Sequence, residues 1–317
     1  MRSATIEVRR PSIDTILEPL PTPRKARLRA AEVATLVFLA FLAIVAWSHP
    51  AAVPLSTRTS LLALGFLFTV AALALNGAVG GWRYWTRELL LLPVVPYMFL
   101  NLGALIPLVN PFTHDDMLVD WDRRLLGPET QAALYNLPLP WWLSDLLTAA
   151  YSTFFFAPIV LVVTLGRRRD PLLPRVTAAV LFTFLVSYAG YFVVPAYGPR
   201  TTVAQERYAT LPAGVVGAPL RDLLDHWERT KTDAFPSGHT MVTVAILFCA
   251  RRRYRALYNA MLPVGALLIA ATILLTYHYV VDVIAAVPLV VASVLLARFL
   301  AGRVSPHPPG EPAAKGS

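Results

Sequence analysis

Apolar residues fall into eight long blocks separated by short polar stretches, at about 32–48, 59–79, 89–109, 143–165, 176–194, 235–250, 257–277 and 279–299. A helix needs about 20 apolar residues to cross a bilayer, so six of these blocks are long enough and the first and sixth fall short. The sixth is framed by His239 and by Arg251-Arg252-Arg253. Arginines there can snorkel to the headgroups and lengthen the effective span. The pattern predicts an all-α, polytopic membrane bundle of about eight transmembrane helices. The expected division is a basic tail at 1–31, two accessory N-terminal helices at 32–88, a core at 89–300 and a second tail at 301–317.

Composition agrees: 56% of the 317 residues are hydrophobic and 15% charged, against about a quarter charged in soluble domains. The single cysteine, Cys249, forms no internal disulfide and says nothing of redox compartment. A formal charge of +9 invites a nucleic-acid reading, but the distribution of charge argues against it. Assigning loops to alternating sides puts 20 of the 28 Lys and Arg on the side of the two termini and 8 on the other. The positive-inside rule then makes both termini cytoplasmic, in the plasma (inner) membrane. The arginines read as topology signals and headgroup contacts, with the bilayer and its lipids as partners and no nucleic acid. The basic stretch before 33–48 reads as an uncleaved signal anchor. The tails at 1–23 and 305–317, rich in Pro and charge, read as disordered.

Two polar islands break the apolar blocks: Phe235-Pro236-Ser237-Gly238-His239 and His278-Tyr279-Val280-Val281-Asp282. Ionisable groups at a bilayer edge are costly and mark function. Alternation puts His239, His278 and the Pro199-Arg200 pair on one face, outside. If the eighth helix begins near His278, Asp282 at i+4 shares its face. The carboxylate would then hold one imidazole nitrogen and leave the other as nucleophile. At the start of the sixth block, Ser237 can cap, Gly238 permits close approach, and the helix N-terminus suits an anion. His239 is the candidate proton donor to a leaving oxygen. Arg200 is the candidate phosphate clamp, with Lys231 as a second contact. The structural alternatives are a His–Asp pair tying helices together, an ordinary capping turn, an interfacial arginine and a solvated lysine. His114 and His226 read as loop histidines, and Trp141 and Trp142 as an interfacial belt. The acids of the 110–142 loop read as the solvated face of a surface helix, with Asp116, Asp120 and Arg124 as a stripe at i, i+4 and i+8.

Pro-Ser-Gly-His followed after one span by His-x-x-x-Asp resembles the type 2 phosphatidic acid phosphatase superfamily, over roughly 143–299. The resemblance implies a six-helix core and a phosphohistidine mechanism without cofactor or metal. In it His278 attacks phosphorus, Asp282 orients it and His239 protonates the leaving group. Arg200, Ser237 and the Gly238 N–H hold the phosphate oxygens. The superfamily's first motif usually has Lys seven residues before Arg-Pro; here position 193 is Val and Arg200 precedes Thr201. That departure, the two extra N-terminal spans and the Asp-rich outer loop are similar to the branch containing inositol phosphorylceramide synthases. That branch typically has Ser-Leu-His where this chain has Ser-Gly-His.

The expected function is therefore phosphotransfer of a headgroup, such as phosphoinositol, to a lipid or glycan alcohol. The alternative is a lipid phosphate phosphatase acting on phosphatidate, phosphatidylglycerophosphate or polyprenyl diphosphate. A transporter without chemistry would carry its polar residues at the midplane, and a serine protease using Ser237 lacks a Gly-x-Ser-Gly elbow. Oligomeric state is left open by the sequence.

Overall fold

The computed structural model describes residues 28–75, 82–251 and 253–304. The predicted tails at 1–23 and 305–317 lie outside them. The chain is a polytopic all-α bundle. In order the helices are α1 (Ala30–Ser48), α2 (Leu55–Ala74), α3 (Trp82–Leu89), α4 (Leu91–Val109), α5 (Asp115–Leu126), α6 (Pro128–Tyr135), α7 (Trp141–Ser152), α8 (Ala157–Arg167), α9 (Leu173–Val193), α10 (Gln205–Ala209), α11 (Gly217–Trp227), α12 (Gly238–Ala250), α13 (Arg255–Leu274) and α14 (Val280–Val304).

Six helical stretches are long and apolar enough to span a membrane: Ala30–Ser48, Leu55–Ala74, Thr86–Val109, Leu173–Val193, Arg255–Leu274 and Val280–Leu300. The fourth predicted span is one broken unit, Trp141–Phe155 plus Ala157–Arg167, bent by 49°. The sixth shrinks to α12, whose 13 residues cover only about 20 Å of a hydrocarbon core about 30 Å thick. The reason is local: residues 235–237 of that apolar block run as a turn that leads into α12.

Helix α9 is central, packed against α14, α12, α4 and α1. Of the two N-terminal spans, α1 enters this core, touching α4, α9 and α14, whereas α2 rests chiefly on α1 and turns Leu62, Phe66, Leu67 and Val70 outward. At the terminal side of the bundle a buried bidentate pair joins Arg87 to Glu32 at 2.6 and 2.7 Å, and Arg29 pairs with Glu88 beside it. Each charge there is covered by its partner, which is what burial demands.

At the opposite end, α5, α6, α10 and α11 with their loops form a polar cap. The acids of the 110–142 loop, all expected to be solvated, divide into two sets. Asp116, Asp120 and Arg124 face outward as expected, but Asp115 and Asp122 are buried. Asp122 accepts from the backbone N–H of Val280 (3.1 Å) and Val281 (2.8 Å) and from the Tyr135 hydroxyl. It thus caps α14 from another helix, satisfying orphan donors and complementing the dipole. Asp115 accepts from the N–H of Tyr197 (3.0 Å) and Gly198 (2.9 Å) and from the Tyr279 hydroxyl (3.0 Å).

Candidate active site

Three loops are stitched together beneath the cap. Ala234 N–H donates to the Ala196 carbonyl at 3.0 Å, and Arg200 N–H to the Thr276 carbonyl at 3.0 Å. Gly198 makes the junction feasible: its φ is +91°, and a Cβ there would strike the Tyr277 carbonyl. The loops therefore bring Arg200, residues 233–239 and His278 to one spot from distant parts of the chain.

His278 is delivered by the end of α13. Tyr277 N–H bonds to the Thr272 carbonyl (3.0 Å) and Thr276 N–H to the Ile273 carbonyl (2.9 Å), a Schellman closure. The left-handed position, usually Gly, is Thr276 with φ of 63°, a strained choice for a β-branched residue. His278 is thus in the turn before α14, not on its first helical turn as the i, i+4 spacing predicts. That changes the role of Asp282. Its Oδ2 accepts from Tyr279 N–H at 2.7 Å and lies 3.5 Å from His278 Nδ1. The shorter contact of His278 Nδ1 is the Ala234 carbonyl, at 2.7 Å. A carbonyl only accepts, so Nδ1 carries the proton and the Nε2 lone pair is free. Burial lowers the His278 pKa to about 4, against opposing contributions from Asp233 and the Ala234 carbonyl.

That Nε2 lies 3.5 Å from His239 Nδ1, although 39 positions separate the two residues. His239 is held in the first turn of α12, sandwiched by Tyr151 (centroids 4.3 Å) and Phe154 (4.1 Å). Its buried Nε2 has no hydrogen-bond partner. Ser237 is the cap of α12: its oxygen accepts from Thr240 N–H at 3.3 Å. A Cβ on Gly238 would collide with the Tyr191 hydroxyl, so glycine here lets α12 lie close on α9. Arg200 is buried over Tyr277 at 5.2 Å, with Nη2 4.0 Å from Asp233. Of the sequence-predicted residues, His278, His239, Asp282, Arg200, Ser237 and Gly238 gather around this point. Lys231 does not: its ammonium pairs with Asp225 at 3.0 Å toward solvent, and only its carbonyl faces Arg200.

An apolar cavity of about 150 Å³ leads to His239. Helices α4, α8, α9 and α12 line it, with Phe154 and Phe155 from the turn after α7, running from Leu91 and Val176 at one end to Gly238 and His239 at the other. Its two carboxylates are Glu228 and Asp233, which line it together with His239.

A family model described as the PAP2 superfamily matches residues 116–296, more than half of the chain. The chain belongs to the PAP2 superfamily. It is accordingly a membrane-embedded phosphatase or phosphotransferase of lipids. No curated protein and no solved structure matches it. The PAP2 match begins inside α5, so α1 to α4, including the wall that α4 gives the cavity, precede the matched region.

Sequence reasoning missed four residues of this PAP2 site. Tyr151 and Tyr277 stack together at 4.7 Å and frame His239 and Arg200. Glu228, 4% exposed, accepts from the Tyr151 hydroxyl at 3.0 Å. Asp233 faces Arg200. The tyrosines are hidden in apolar blocks, and the two acids stand in a loop rich in charge, where nothing in the pattern separates them from solvated neighbours.

Proposed function

We propose that this protein is an integral-membrane lipid phosphotransferase working through a phosphohistidine at His278. The observation that carries the reading is the approach of His278 Nε2 to within 3.5 Å of His239 Nδ1, with His239 at the head of an apolar cavity. A lipid chain occupies the cavity and its phosphate meets the two imidazoles. His278 Nε2 attacks phosphorus, the P–O bond to the lipid alcohol breaks, and His239, which burial keeps neutral in the free enzyme and which takes up a proton as the phosphate anion binds beside it, gives that proton to the leaving alkoxide. The Ala234 carbonyl holds the Nδ1 proton, with Asp282 beyond it to balance the charge that forms on the ring. Arg200 and the first-turn N–H groups of α12 hold the phosphate oxygens. An acceptor hydroxyl then attacks phosphorus, passes its proton to His239 and frees His278.

The transferase reading, resembling inositol phosphorylceramide synthases, is supported by the single arginine of the site, by Val193 and Thr201 where the commoner motif has Lys and Pro, and by the helices before the matched region. The proposed orientation has both termini in the cytoplasm and the site on the extracytoplasmic face of the plasma membrane, supported by the Lys and Arg distribution. The test is incubation of purified protein with a defined phospholipid panel plus alcohol acceptors, read by mass spectrometry. A new lipid carrying the donor's headgroup, absent in His278→Ala, is the expected result. Free phosphate with no transferred headgroup would make it a phosphatase. Full activity in His278→Ala would remove the nucleophile.

A further inference from the structure

The site holds more acid than phosphate binding calls for. Arg200 is its buried cation, 4.0 Å from the Asp233 carboxylate. Glu228 is buried a few residues away, on the Tyr151 hydroxyl whose ring stacks on His239. Both carboxylates line the same cavity as His239. Three nearby cations have partners of their own: Arg207 donates to the Leu274 carbonyl at 2.6 Å, Arg221 donates to the carbonyls of Leu211 and Pro212, and Lys231 pairs with Asp225, its charge reaching Glu228 and Asp233 only as a lesser contribution. Arg200 is therefore already balanced by Asp233 before any substrate binds, and a second carboxylate stands behind it.

A phosphomonoester brings two negative charges to such a site and a diphosphate brings more. A phosphodiester brings one. Like charges brought together in a poorly hydrated pocket cost several kcal/mol, and discrimination is often built from such a repulsive element. We propose that Asp233 and Glu228 set the specificity of this site, admitting the monoanionic phosphate of a phosphodiester lipid and rejecting phosphomonoesters and diphosphates. The inference rests on the lipid phosphoryl site proposed above and narrows it to one substrate class. Burial, then the neighbouring Asp233, raises the Glu228 pKa to about 7, and burial raises that of Asp233 against the pull of Arg200.

The experiment uses the full-length protein in detergent, with Asp233→Asn, Glu228→Gln and the charge-conserving Glu228→Asp. Binding of inorganic phosphate and of dimethyl phosphate is measured calorimetrically at pH 8. Wild type should prefer dimethyl phosphate. Each neutral variant should tighten inorganic phosphate binding by about tenfold and leave dimethyl phosphate nearly unchanged, while Glu228→Asp keeps the wild-type preference. In turnover, the ratio of kcat/KM for phosphatidylinositol to that for phosphatidate should fall by about tenfold in the neutral variants. Unchanged ratios, or equal loss on both ligands in all three variants, would overturn the proposal. If wild type turns over no phospholipid, the lipid reading fails, and the binding ratios still decide the charge selection.

Discussion

At the scale of single residues, the decisive atom is His278 Nδ1. Its proton is fixed by a backbone carbonyl rather than by the carboxylate four residues on. A neutral imidazole is the attacking form, and the His278 pKa is lowered to about 4. Free imidazole loses its proton near pH 6.5. The acid limb of kcat/KM should therefore fall near pH 4 rather than near 6.5, measured in free enzyme across a buffer series. Glu228 carries the opposite sign. Its pKa is raised to about 7, so the folded state holds a proton that the unfolded state releases near 4.5. Stability is fully present below about pH 4.5 and declines up to about pH 7, by roughly 3 kcal/mol. In melting curves at pH 5 and pH 8, Glu228→Gln should flatten that decline.

Legibility differed by residue type. The two histidines, Asp282 and Arg200 stood out because a charged or titratable side chain beside an apolar block is rare. Lys231 passed the same test, but its ammonium turns to Asp225 and solvent and makes no contact with the histidines. Asp233 and Glu228 were invisible for the converse reason: loop acids are common, and only the fold buries these two. Tyr151 looked like one more aromatic in a span until the bend after α7 turned it to His239.

At the scale of elements, helix existence was readable and helix ends were not. Every apolar block became a helix, but α12 lost its first residues to a turn and the fourth block broke in two. Loop contacts decide such ends, and period carries no trace of them. The capping of α14 by Asp122 is one of these contacts. Asp122→Ala leaves the Val280 and Val281 N–H groups without acceptors, at about 1–3 kcal/mol each. The expected outcome is a lower melting temperature together with reduced kcat, because His278 sits directly before that turn. Asp116→Ala, on the outward face of the same helix, should change neither.

At the scale of the molecule, the all-α bundle followed from hydropathy alone, since only helices and closed barrels satisfy their backbone in lipid. Which helices build the cavity did not follow, because apolar faces look alike in sequence whether they meet lipid or line a slot. Leu181 on α9 lines it. Leu181→Trp should raise KM for long-chain lipids and spare short-chain, water-soluble analogues, as read by steady-state kinetics on the two classes.

The shortness of α12 has a consequence for the surroundings of the protein. Its 13 residues fall about 10 Å short of a hydrocarbon core about 30 Å thick, so in a bilayer matched to the longer spans the histidine at its start would lie below the headgroups. A lipid resting at its usual level in the leaflet must sink by about that much to react. In a thinner membrane the aqueous boundary would drop toward the imidazoles, and water would begin to compete with the alcohol for the phosphorylated ring.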